Sequence, residues 1–275
     1  DVELQVALEF GGQVALIIGG PPVLLGTDPA DLDDSSWGYL DPDDGHLVAR
    51  LAMPADLAVA DWSGSSHLAG VRSSYPRGLR VVRIADGEVR QLIDSTAEVG
   101  QPAWFSDGKR LAVVLRQTGK LSLLILSADG GSSRAFELAT PPYFNNVRGP
   151  ADSQLQISPD DRFAAFMGEN HDTIEVIDVA SGRQRRLVRI TTLSPDTGDV
   201  DIGSLTWTAD SEHVRYVAGT YVSGAGSAHE IHEVDLSGKD RLVRSVPASQ
   251  TPGHYLVLPA HGTSSRTGES VAEVY

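Results

Sequence analysis

Cysteine is absent from the 275 residues. That excludes disulfides, thiolate metal ligands and a cysteine nucleophile, while leaving the compartment open. Lysine is scarce, three residues against 19 arginines, a usage typical of GC-rich bacterial genomes. Long apolar runs are missing as well. None exceeds the five residues of 14–18, against the roughly 18 needed to cross a bilayer. No basic segment followed by an apolar one opens the chain, so no targeting segment is read. Asp1 already stands in strand-like sequence, and a signal peptide, anchor or upstream domain is expected ahead of it.

Positive charge is short, leaving a net charge of −15. Nucleic acid is thereby excluded as a partner, because phosphate neutralisation needs clustered Lys and Arg. The one basic cluster, Arg183, Arg185, Arg186 and Arg189, alternates as the solvent side of a single strand would. The acidic balance favours a monomer that stays in solution. Hydrophobic residues nonetheless make up 41% of the chain, enough for a packed core rather than disorder.

What is present is a repeat. A strand, a tight turn and a second strand recur over 37–51, 79–92, 121–130, 174–187 and 231–242. The turns carry Asp-Gly or Ser-Gly between alternating apolar residues, a hairpin signature in which glycine supplies the positive φ. Their glycines fall at 45, 87, 130, 182 and 238, spaced by 42, 43, 52 and 56 residues. A second hairpin precedes each one, with turns at 10–13, 62–67, 104–109, 157–162 and 207–212. Two hairpins per period of this length predict a four-stranded propeller blade.

The segments 102–112 (PAWFSDGKRLA) and 157–166 (ISPDDRFAAF) resemble the W-S-P-D-G-[KR]-x-[LI]-A repeat of TolB-like propellers. The resemblance covers 57–246 well and 1–52 by hairpin spacing alone. Every copy departs from the strict pattern, and the Gly-His and Trp-Asp marks of WD repeats are missing. The resemblance implies an all-β, WD-repeat-like propeller in which Asp and Gly make the turn and Trp fills the space between blades. It attaches no catalytic residue. Its members include periplasmic scaffolds, sensor domains and peptidase propellers, so function stays open.

The expected organisation is one domain over 1–275. Its blades are 1–52, 57–93, 100–138, 154–190 and 203–246, with 254–275 as half of a sixth. The alternative is five blades with a C-terminal extension. With strands named a to d outward from the axis, the a–b and c–d turns are short. The long segments, 19–35, 139–153, 191–203, 218–229 and 246–253, all fall on the opposite face, which is therefore expected to carry recognition.

On that face 141–148 offers Tyr143, Phe144, Asn145, Asn146 and Arg148, the residue types that anchor interfaces. His171, Tyr221 and His229 complete the expected contacts, and Tyr143 and Phe144 could instead simply cover the ring edge. Metal chemistry finds little support. His229 and His232 point to opposite sides of a strand and lack the helical context of a zinc motif. Asp196, Asp199 and Asp201 could hold Ca²⁺ but lack the Glu of an EF-hand, and no cofactor is expected. No Gly-x-Ser-x-Gly elbow occurs. The carboxylates Glu169, Asp172, Asp199 and Asp201 could line the axis as a glycosidase-like pair. The sequence thus predicts a non-catalytic binding, sensor or scaffold propeller. It is expected to be bacterial and extracytoplasmic, periplasmic or at the cell surface, as the soluble domain of an anchored protein. Its partner is a protein or small ligand. The alternative is a hydrolase or lyase using these carboxylates and a histidine.

Overall fold

The computed structural model describes residues 7–10, 13–16, 37–40, 47–51, 57–62, 67–72, 78–83, 86–94, 96–131, 133–140, 142, 155–168, 171–190, 200–222 and 226–246. Among these every regular element is a strand. Two hairpins come first, β1 (Ala7–Phe10) with β2 (Gln13–Leu16), and β3 (Trp37–Leu40) with β4 (Leu47–Leu51). Four antiparallel meanders follow. Sheet I is β5 (Leu57–Trp62), β6 (His67–Arg72), β7 (Leu79–Arg83) and β8 (Val89–Ile93). In sheet II, β9 (Glu98–Val99) and β10 (Ala103–Trp104) both pair with β11 (Arg110–Gln117), followed by β12 (Lys120–Ser127) and β13 (Ser133–Glu137). Sheet III is β14 (Gln156–Ile157), β15 (Phe163–Met167), β16 (Thr173–Asp178) and β17 (Gln184–Arg189). Sheet IV is β18 (Val200–Trp207), β19 (His213–Val222), β20 (Gly226–Asp235) and β21 (Asp240–Val246).

The sheets stack face to face in chain order, and their first strands touch in succession: β5 on β10, β10 on β14, β14 on β18. Burial follows the same gradient. β15 is buried at every position, whereas the outermost strand β13 is mostly exposed. β11 and β15 carry unbroken apolar runs, 111–115 and 163–167, because their alternate side chains serve two junctions. Leu111 and Val113 join Leu79, Val81 and Trp104 between sheets I and II. Ala112 and Val114 join Ile157, Ala164 and Phe166 between sheets II and III. Phe163, Ala165 and Met167 face Ile202, Trp207 and Tyr216 between sheets III and IV.

Trp104 and Trp207 fill the gaps between sheets, as the repeat predicts. Each stacks on the first residue of the preceding sheet's second strand, Trp104 on His67 at 5.8 Å and Trp207 on Phe163 at 6.1 Å. The turn glycines 87, 130, 182 and 238 all take φ between 72° and 90°.

The turn aspartates do the expected work. Asp129 accepts from the Ser127 hydroxyl and Gly131 N, Asp178 from Ser181 N and its hydroxyl, and Asp235 from the Ser237 hydroxyl and Lys239 N. Those hydrogen bonds hold all three carboxyls below the ordinary range. Asp86, bonded by Arg83, falls to about 2. At Asp107 and Asp210 partial burial pushes upward. Hydrogen bonds from Arg110 and Lys109 N, and from Thr208 and Glu212 N, outweigh it.

A depressed folded value adds stability above the unfolded pKa, about 3.9 for Asp, and loses it as pH falls through the folded one. Melting temperature is therefore expected to be flat from neutrality to about pH 5 and to fall steeply between about pH 4 and 2. Melts followed by circular dichroism check this. Asp178→Asn flattens the acid limb, and equal melting temperatures at pH 6 and pH 2.5 would contradict it.

Candidate functional site

The turn joining β15 to β16 gathers three parts of the chain. Gly168 N donates to Thr173 O at 2.9 Å and His171 N donates to Gly168 O at 3.0 Å, closing the turn. A Cβ at Gly168 would collide with the Thr173 hydroxyl, so only glycine allows this approach. Pro142, in the connection leaving sheet II, bridges Gly168. From the other side Ile202 N, on the first strand of sheet IV, donates to His171 O at 2.8 Å. Ile190 N donates to Asp172 O at 2.8 Å.

His171 is half-buried and holds φ of 56°, a left-handed conformation uncommon outside glycine. Such strain persists only where the surroundings over-determine it, and it concentrates at functional positions. Asp172 faces the Arg189 guanidinium at 3.6 Å.

Of the expected contacts, His171 lies in this turn. Tyr143, Phe144, Asn145, Asn146 and Arg148 lie outside the described residues, but Pro142, which precedes them, stands at the His171 turn. Tyr221 and His229 correct the sequence reading. They lie on β19 and β20, paired Tyr221 with Ser227 and Gly219 with His229. The segment 218–229 is an extended hairpin rather than a loop. Its glycines at 219, 224 and 226 hide the ladder in the sequence, yet β18 supports the base through Val200↔Thr220 and Asp201↔Gly219. Of the Ca²⁺ candidates, Asp196 and Asp199 lie outside the described residues and Asp201 is on β18. Glu169, the partner considered for Asp172, is likewise outside them.

Two buried ionic clusters were not legible in the sequence. Glu233, 3% exposed, accepts from Arg215 at 2.9 Å and Arg241 at 3.0 Å. Burial pushes its carboxyl up, and the two arginines outweigh that and hold it low. His232 is bonded on both ring nitrogens, to Asp240 at 3.0 Å and Glu230 at 3.1 Å, and stacks on Tyr216. Burial, then the Asp240 and Glu230 charges, drive the Tyr216 hydroxyl far above its ordinary value. Both clusters tie strands of sheet IV together.

The exposed basic cluster of β17 is solvent-facing as expected, with one exception in role. Arg186 reaches the buried Glu175 at 2.7 Å.

No protein-family model matches the chain, and no curated protein does. Solved structures do. A puromycin hydrolase variant complexed with PGG superposes with a TM-score of 0.56 at 14% identity, over 86% of this chain and 41% of that one. The fold is a β-propeller. A putative TolB from Agrobacterium tumefaciens gives 0.48 at 13% identity, over 77% and 74% of the two chains. The Swd1 β-propeller domain of Myceliophteria thermophila gives 0.49 at 13%, over 77% and 66%. The propeller spans less than half of the puromycin hydrolase, and identities this low carry fold across, with no activity attached. Among the described residues, no helix is long and apolar enough to cross a membrane.

Proposed function

We propose that this propeller binds a protein partner or small ligand, without converting it, on the face of its long connections around the His171 turn. The observation that supports this most is the convergence there of three chain segments held by main-chain hydrogen bonds, with a strained histidine at their meeting point. Rigid strands position that point, Pro142 stands at its edge, and the sequence that follows Pro142 holds the aromatic, amide and guanidinium groups suited to an interface. We place the protein outside the cytoplasm, as a sensor or scaffold domain of a larger anchored molecule.

Two assays test the reading. Biotinylated chain captures partners from extracytoplasmic extracts of its host, and capture is compared among wild type, Arg148→Ala, His171→Ala and Lys239→Ala, at an exposed short turn of the opposite face. Loss of the captured species in the first two variants and retention in the third is the expected result. Capture indifferent to Arg148 and His171 would remove this surface from consideration. Turnover of chromogenic peptide anilides, esters or glycosides, in proportion to purified protein, would replace binding by catalysis.

A further inference from the structure

On the opposite face, that of the short turns, the three junctions differ in one chemical group. Between sheets II and III, Asp161 reaches back across the gap. Its carboxylate accepts from Ser106 N at 2.7 Å and the Ser106 hydroxyl at 3.0 Å, and it faces the Arg110 guanidinium at 3.2 Å. Between sheets III and IV the same turn position is Ser211, whose hydroxyl accepts from Asp160 N at 3.0 Å. Asp161 and Ser211 hold φ of 63° and 62°. Between sheets I and II the position is Gly108, with the same φ of 62° and no side chain to offer. The residue facing it, at the strand position of Arg110, is His67.

Where the next junction has its ion pair, this one has a cleft of about 200 Å³. Val81 and Ala128 give it apolar surface, and His67, stacked on Trp104, forms a wall. Arg83, Arg90 and Lys109 bring cationic groups to it. The two carboxylates present are committed. Asp129 caps its own turn, and Glu88 bonds Arg83 and Arg90. Lys109 has no ion pair among the described residues. Burial first, then the charges of Arg83 and Arg90, hold the His67 ring below its usual value. Asp86 pairs with Arg83 as well, at 2.6 Å, so the arginine charges are largely met and Lys109 is the cleft's cation without an ion pair among the described residues.

We propose that the cleft between sheets I and II binds a carboxylate, taking the place that the Asp161 carboxylate fills at the next junction. A small carboxylic acid or the acidic side chain of a peptide carries that group equally well. Charge-assisted hydrogen bonds from Lys109 and the arginines would hold it, with the imidazole beside them. The inference uses no residue of the His171 turn and stands apart from the binding reading above.

The test follows the His67 ring proton by NMR, assigned with His67→Gln, in the whole chain at constant ionic strength. Sodium succinate and an acetylated, amidated Asp-Asp peptide are titrated, with chloride as the control. A saturable shift with either carboxylate, accompanied by a rise in the ring's pKa, is the expected result. Response to succinate alone identifies a small acid as the ligand, and response to the peptide alone identifies an acidic side chain. Lys109→Ala, at an exposed turn, should weaken binding about tenfold, the loss of one charge-assisted hydrogen bond. Gly108→Asp supplies the missing carboxylate on a backbone that already has the φ of Asp161. It should abolish the response and raise the ring's pKa without any ligand. No saturable shift, an equal shift with chloride, or an undiminished response in Gly108→Asp would each overturn the proposal.

Discussion

Truncating Trp207 to alanine is expected to lower the unfolding free energy by about 3–5 kcal/mol, the usual cost of deleting a buried aromatic. Trp207 is 3% exposed and stands between sheets III and IV. Its ring stacks on Phe163 with an interplanar angle of 21°, and its Nε1 donates across the junction to Gln156 O at 3.2 Å. Removing it opens a void that the paired strands on both sides cannot close without breaking their ladders. Trp207→Phe separates the two contributions, because phenylalanine keeps the stack and loses the donor. It should cost about 1–2 kcal/mol, a hydrogen bond and the stranding of a buried carbonyl. Urea midpoints with constant slope read both values. In a repeat architecture the junction also couples neighbouring sheets, so a broadened transition in Trp207→Ala would show the coupling directly. A loss below about 1 kcal/mol would mean that these sheets are not cemented at this residue.

Much of this fold is legible because each repeat writes its own turns. Asp-Gly and Ser-Gly fix the outer hairpins, and Asp107, Asp160 and Asp210 each bond the main chain of an inner one. These are local interactions, set by residues two or three apart, and a single sequence contains them. Cross-junction contacts are another matter, since they join residues 39 to 55 positions apart. Arg90 donates to Asp129 O and Arg134 to Ala180 O, each from the outer strand of one sheet to the turn of the next. The signal existed, an arginine three or four residues beyond four of the five turn glycines, at 90, 134, 185 and 241. Periodicity alone reads such residues as a solvent-facing row.

The candidate site divides in the same way. His171 stood out as a loop histidine, yet its left-handed backbone and the hydrogen bond from Ile202 depend on the fold. Tyr221 and His229 were read in a long connection, 218–229, that is instead formed by the paired strands β19 and β20. Glycine-rich sequence conceals a strand when main-chain pairing, rather than side-chain alternation, holds it. The cleft at His67 was invisible for a simpler reason. It exists by contrast, because Gly108 replaces the aspartate and serine that occupy the same turn in the next two sheets.

Gly182→Ala should cost about 2–4 kcal/mol, combining about 1–2 for an L residue held left-handed with about 1–2 for displacing a packed ring. Gly182 has φ of 74°, and a Cβ there would run into the Phe136 ring on the outer strand of sheet II. That ring is clamped on its other side by the Arg134 guanidinium, 4.6 Å from its centroid, while Arg134 donates to Val179 O and Ala180 O. Moving the ring therefore disturbs the latch between sheets II and III. A Cβ added at Gly130 or Gly238 would also meet the preceding sheet, at Leu92 (3.7 Å) or Leu187 O (3.1 Å). The control is Gly87→Ala, where φ is 72° and nothing lies within 4 Å. It carries the backbone cost alone. The excess of Gly182→Ala over Gly87→Ala measures the contact, and Phe136→Ala combined with Gly182→Ala should erase that excess. Equal losses for the two single alanine variants would show that the turn of sheet III does not bear on sheet II.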